Sequence, residues 1–164
     1  MSSIRIAGIV KESIVDGYGF RFVVFAQGCP HKCKGCHNPE THDFAGGYDC
    51  GIEKILDAIG ENPLLDGVTF SGGEPFCQAE GFCELAKGIR NRFPTLNIMT
   101  YTGYTFEGLV RECERNSHAW KLLSLTDYLI DGRYIEEERD LTLQFRGSRN
   151  QRIIDLKTGE QNDR

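Results

Sequence analysis

The sequence predicts an α/β fold, an incomplete and laterally open parallel βα barrel. Three observations carry this. Four short apolar runs, rich in β-branched and aromatic residues, each run into a glycine. Segments of helical period lie between them, and a polar cluster follows each run. A closed eight-unit barrel typically needs about 250 residues, and the chain has 164. The barrel is therefore expected to stay open.

The four runs are "FRFVVFAQG" (20–28), "GVTFSGG" (67–73), "LNIMTYTG" (96–103) and "DYLIDG" (127–132). Near-continuous apolar character suits strands buried on both faces. Ile52, Ile55, Leu56 and Ile59 follow the i, i+3, i+4, i+7 spacing of a helix with one apolar stripe. Phe82, Leu85, Ala86 and Ile89 repeat it, as do Phe106, Leu109, Val110 and Cys113. All three stripes are expected to pack into the core. Strands alternating with helices imply parallel βα units. Further strands are expected around Ile4–Val10 and Arg152–Leu156. No linker or repeat divides the chain, so residues 1–158 read as one domain and 159–164, "GEQNDR", as a frayed tail.

Charge and composition remove several classes of function. Net charge is −5 with both signs intermixed, against the clustered positive charge of a nucleic-acid-binding surface. No apolar run is long enough to span a bilayer. "MSSIRIAGIVKESIV" lacks the layout of a signal peptide, which makes cytoplasmic the expected location. In that setting the seven cysteines favour metal ligation and free thiols over a disulfide framework. Cys50, Cys77, Cys83 and Cys113 are scattered and read as packed thiols.

Every polar cluster follows a strand's C-terminal end: "GCPHKCKGC", "SGGEP", "TYTG" and "DGRY". In parallel α/β folds those ends share one rim, where active sites lie. The first cluster holds Cys29, Cys33 and Cys36. Three thiolates are one short for a closed structural zinc site, which His31 or His37 could complete as Cys₃His. The C-x₃-C-x₂-C spacing differs from the usual C-x₂-C pairs of zinc knuckles, however. Iron–sulfur clusters usually take four thiolates; three leave one iron of a 4Fe–4S cube open to a small ligand.

Cys29-x₃-Cys33-x₂-Cys36 resembles the cluster motif of the radical S-adenosylmethionine (SAM) superfamily. "VDGYGFRFVVFAQGCPHKCKGCHNPET" resembles the N-terminal signature of the glycyl-radical-enzyme activases. "DYLIDGRYIEEERDLTLQFRGSRNQRIIDL" is similar to the C-terminal half of those activases that serve anaerobic (class III) ribonucleoside-triphosphate reductases. With "SGGEP", the likeness spans residues 8–156.

The resemblance implies a radical SAM barrel, one 4Fe–4S cluster on the three cysteines, and SAM chelating the open iron. Reductive cleavage of SAM would give a 5′-deoxyadenosyl radical that takes a hydrogen atom from a glycine of the reductase. A flavodoxin- or ferredoxin-type protein would supply the electron. Gly72, Gly73 and Glu74 match the motif that holds the methionyl amine, with Glu74 adding a carboxylate. Asp131 aligns with a ribose-binding aspartate, and Arg133 replaces a lysine that meets the SAM carboxylate; Arg can pair bidentately there. Thr100 opens a strand end where related activases carry an aspartate near the cofactor, a pattern from which this chain departs, and Asn150 matches an asparagine near the SAM site. Gly35 stands where many members have an aromatic residue whose backbone meets the adenine. Asp16, Gly17 and Gly19 are implied to face the incoming glycyl segment. The alternatives are an activase for another glycyl-radical enzyme, a radical SAM enzyme acting on a small molecule, and a zinc-stabilised binding module.

Overall fold

The computed structural model describes residues 2–159 and 161–162. Eight strands form one sheet in the order β3-β1-β2-β4-β5-β6-β7-β8. They are β1 (Ser3–Ser13), β2 (Arg21–Ala26), β3 (Tyr48–Gly51), β4 (Gly67–Gly72), β5 (Asn97–Tyr101), β6 (Tyr128–Asp131), β7 (Arg152–Asp155) and β8 (Gln161–Asn162). The four strands read as parallel are parallel: β2, β4, β5 and β6 lie side by side in chain order. The sheet as a whole is mixed, because β1 pairs antiparallel with β2 and β3, and β7 antiparallel with β6 and β8. It is open, and the expectation of an all-parallel sheet is corrected to this extent. Residues 159–164 read as a frayed tail, yet Gln161–Asn162 pairs with β7; residues 160, 163 and 164 lie outside the described residues.

Helices α1 (Ile52–Gly60), α2 (Ala79–Arg92), α3 (Phe106–Glu112) and α4 (His118–Leu125) connect the strands. The stripes of α1 and α2 are buried as their spacing requires. On α3 only Leu109 is buried; Val110 is 41% exposed, and Cys113 caps the helix end. That helix runs seven residues, too short for a second buried turn. Helix α4 lacks a clean apolar stripe but carries a start signal, since Ser117 accepts the Trp120 amide as an N-cap.

Strand alternation divides the sheet into two faces. Phe22, Val24, Val68, Phe70, Ile98 and Leu129 join residues of all four helices in the main core. Met99, Ile130 and Ile153 face the other way, packed with Tyr18, Tyr101, Tyr128 and Phe145. Arg21 is fully buried on that second side, donating to Thr69 Oγ1 at 2.7 Å, Tyr18 O at 2.8 Å and Val68 O at 2.9 Å. Burial lowers its pKa to about 10, which leaves it charged at neutral pH.

Candidate functional site

The cysteine loop is held shut at its neck. Gly28 N donates to Thr41 O at 2.7 Å and Cys29 N to His42 O at 3.2 Å, while the Gln27 amide bridges Glu40 O and Asp43 O. Two further backbone bonds, Gly73 N to Ala26 O and Glu74 N to Gly28 O, both 2.8 Å, fasten it to the end of β4. A cleft of about 480 Å³ opens beside this junction, at the C-terminal ends of β2, β4, β5 and β6. It lies on the face that the helices leave uncovered.

Cys29, Cys33 and Cys36 all line the cleft, with Gly72, Gly73 and Arg133. The three thiols are free, Cys29 buried and the other two half-buried. Burial pushes the Cys29 and Cys36 thiols above their ordinary value. The Asn38 amide donates to Cys36 Sγ at 3.4 Å, the kind of contact that orients and tunes a ligating sulfur. Among the described residues no three metal-ligating groups gather around a single point. Soft thiols from one loop, unpaired and facing a cleft with room for a small molecule, fit a 4Fe–4S cluster with one open iron.

Five expected contacts fall outside the cleft wall. Glu74 is 0% exposed, and its carboxylate is bound by His31, Thr102, Gly103 and Phe76. Thr100 lies on the helix-covered side, its hydroxyl 2.9 Å from that of Thr126. Asp131 follows Ile130 and points to the opposite face, where it accepts from Phe106 N and pairs with Arg152. Asn150 donates to Arg133 O at 2.7 Å, shaping the turn that presents Arg133. Gly35 lies beside the cleft without lining it. A Cβ there would sit 2.8 Å from Glu136 Oε1 and 3.2 Å from the Tyr134 ring, so the room for an aromatic residue at 35 is already filled.

The cleft also uses residues that motif spacing did not single out. Tyr134 comes from the β6 end, with His37 tilted against it at 5.2 Å. Phe145, Arg146, Gly147 and Gln151 come from the loop before β7. Gln151 organises that loop, accepting the Gly147 and Ser148 amides and donating to Gly132 O. The signal was present in "FRGSRNQR", but the cleft takes Arg146 and Gln151 in place of Asn150. Of the "VDGYGFR" segment, Val15 and Asp16 line the cleft, whereas Gly17 and Gly19 do not. Cys50 and Cys83 are packed thiols; Cys77 is exposed, 3.9 Å from Tyr104 OH.

Residues 15–154, which hold the open sheet and the loop with the three thiols, match the family described as a 4Fe-4S single cluster domain, and this makes the chain an iron–sulfur protein. Similarity to individual proteins narrows the class. The anaerobic ribonucleoside-triphosphate reductase-activating protein of Haemophilus influenzae is 32% identical over 146 residues, covering 85% of this chain and 90% of the relative. Its counterpart from Enterobacteria phage T4 is 34% identical over 143 residues, covering 85% and 86%. The chain belongs to the family of anaerobic ribonucleoside-triphosphate reductase-activating proteins. Among solved structures, QueE from Escherichia coli shares the fold, with a TM-score of 0.51 at 17% identity over 63% of this chain and 53% of that one.

Proposed function

We propose that this chain is a radical SAM activase that places a glycyl radical on an anaerobic ribonucleoside-triphosphate reductase. The observation that carries the reading is the shared wall: three free thiols face the same cleft as the β4 glycines and Arg133. When bound, the cluster and SAM together supply reductive cleavage of a sulfonium, whose product removes a hydrogen atom from a backbone glycine.

Each wall of the cleft has a task in that reaction. Cys29, Cys33 and Cys36 would hold the cluster. Gly72 and Gly73 bring bare backbone against the methionyl end of SAM. Arg133 is exposed on the wall, where a guanidinium fork can grip a carboxylate with two parallel bonds. The loop carrying Phe145 to Gln151 shields the far side from water. Exposed Ile14 and Val15 at the rim offer an apolar landing for a folded segment of the reductase. With every helix on one side of the sheet, the strands are read as part of a barrel whose missing side admits that segment. Residues 1–158 would form this single domain. A flavodoxin- or ferredoxin-type protein supplies the electron, and the setting is the cytoplasm; among the described residues no helix is long and apolar enough to cross a membrane.

Anaerobic purification tests the reading. The protein should be brown, and its reduced-state EPR spectrum should change when SAM is added. Mixing with the reductase, SAM and a reductant should produce a glycyl doublet. Changing Cys29, Cys33 or Cys36 to Ala should abolish SAM cleavage. A colourless protein with stoichiometric zinc, or cleavage that survives these substitutions, would end it.

A further inference from the structure

The carboxylate of Glu74 has no capacity left for a cofactor. A carboxylate offers about four acceptor sites on its two oxygens. Oε1 receives Gly103 N at 2.8 Å and lies 2.7 Å from His31 Nε2. Oε2 receives Phe76 N at 3.2 Å, and the Thr102 hydroxyl lies 3.0 and 2.9 Å from the two oxygens. A carboxylate is an acceptor, so in this contact the hydrogen comes from His31 Nε2. Both side chains are out of water, His31 at 4% exposure and Glu74 at 0%.

The surroundings of His31 are built to match. A Cβ on Gly103 would lie 2.3 Å from His31 Cδ2, so only glycine lets the ring seat there. The Tyr104 ring meets it edge-on, with centroids 4.6 Å apart. Thr102, Gly103 and Tyr104 thus form a socket at the β5 end for a ring that projects from between Cys29 and Cys33.

We propose that His31 and Glu74 are a positioning pair that locks the cysteine loop onto the ends of β4 and β5, and that Glu74 makes no contact with the amine of SAM. This rests on the radical SAM reading and deepens it. The amine is then left to backbone carbonyls among Ser71, Gly72 and Gly73, which line the cleft where Glu74 does not. Partners that orient metal ligands typically change affinity or activity by about 10–100-fold when removed.

The test uses the full chain, reconstituted anaerobically, as wild type, H31A, H31Q, E74Q and the H31A/E74Q double variant. Iron per chain, the reduced-state EPR line shape and the Kd for SAM are measured, the last also for an analogue lacking the α-amino group. H31A should weaken SAM binding about tenfold or more and alter the line shape. H31Q, which can still donate an N–H to Glu74, should recover most of both. E74Q should match H31A, the double variant should be no worse than either single one, and the E74Q penalty should be equal for the two ligands. A penalty that vanishes with the analogue would make Glu74 the amine ligand and overturn the proposal, as would an H31A protein indistinguishable from wild type. If E74Q fails to fold, the H31A and H31Q pair still decides. A wild type whose spectrum ignores SAM would instead refute the parent reading, while iron retention in H31A against wild type still reports on the pair.

Discussion

Replacing Gly73 with alanine should pry the cysteine loop from the sheet. The added Cβ would lie 2.4 Å from Gly28 O, 2.8 Å from Gly28 C and 2.9 Å from Thr41 O, all of them backbone atoms. Ordinary contact begins near 3.4 Å, so the two segments must separate by 3.4 − 2.4 = 1.0 Å. The Gly73 N to Ala26 O and Glu74 N to Gly28 O bonds, both 2.8 Å, span that gap and would be stretched or lost. Overpacking of this kind costs about 1–3 kcal/mol, and each weakened hydrogen bond about 0.5–1.5 kcal/mol. Together they predict a loss of about 2–6 kcal/mol, read as a drop of about 6–17 °C in the melting temperature of the metal-free protein. A shift of about 1 Å in the thiols should also lower SAM cleavage about 100-fold. Thermal unfolding and anaerobic turnover of G73A measure the two effects. A variant with the wild-type melting temperature and wild-type turnover would refute the close-approach account of this glycine.

Gly35→Ala should be milder despite its φ of +76°, because its nearest obstacle is the mobile end of Glu136; thermal unfolding should show a loss of about 1–2 kcal/mol. Arg152→Ala strands the buried Asp131 carboxylate, leaving it the Phe106 amide. Since Arg152 is a quarter exposed, the expected cost by urea denaturation is about 2–3 kcal/mol, below that of a fully buried pair. At Asp127, burial pushes the carboxyl up, but Arg90, the Ile98 amide and Lys157 outweigh it and hold it below its ordinary value of 3.8. A depressed carboxyl stabilises the fold above its unfolded pKa and loses that contribution as pH falls through the folded one. The stability gap between wild type and Asp127→Asn should therefore be constant from neutral pH to about pH 5 and shrink below about pH 4. Urea titrations across that range would show it; a gap that widens with acid would contradict the assignment.

The parallel centre of the sheet was legible because strands buried on both faces leave apolar runs that polar segments cannot imitate. The edges were not. Nothing in the periodicity of Ile4–Val10 or Arg152–Leu156 states which neighbour a strand takes or in which direction, and β3 has only four residues, two of them exposed. The loops forming the site could be read from their motifs, but the side on which each residue falls could not. Motif matching selected Thr100, Asp131 and Asn150, whereas alternation along β5 and β6 places Tyr101 and Ile130 toward the cleft face. Counting in twos from the core residues Ile98 and Leu129 would have set Thr100 and Asp131 on the helix side. The His31–Glu74 contact joins positions 43 residues apart and leaves no local signature.

Strands β2, β4, β5 and β6 stand in the sheet in the order in which the chain makes them. Their terminal loops consequently form a row, with the thiols at one end, the paired glycines next, Thr102 and Gly103 after them, and Arg133 at the other end. Three steps of about 4.8 Å between neighbouring strands give the row a length of about 14 Å. An elongated molecule lying along it would be gripped piece by piece, from head to tail, in the order of synthesis. Because Glu74 ties the first three loops together, shortening or lengthening one of them would shift the grip of its neighbours as well.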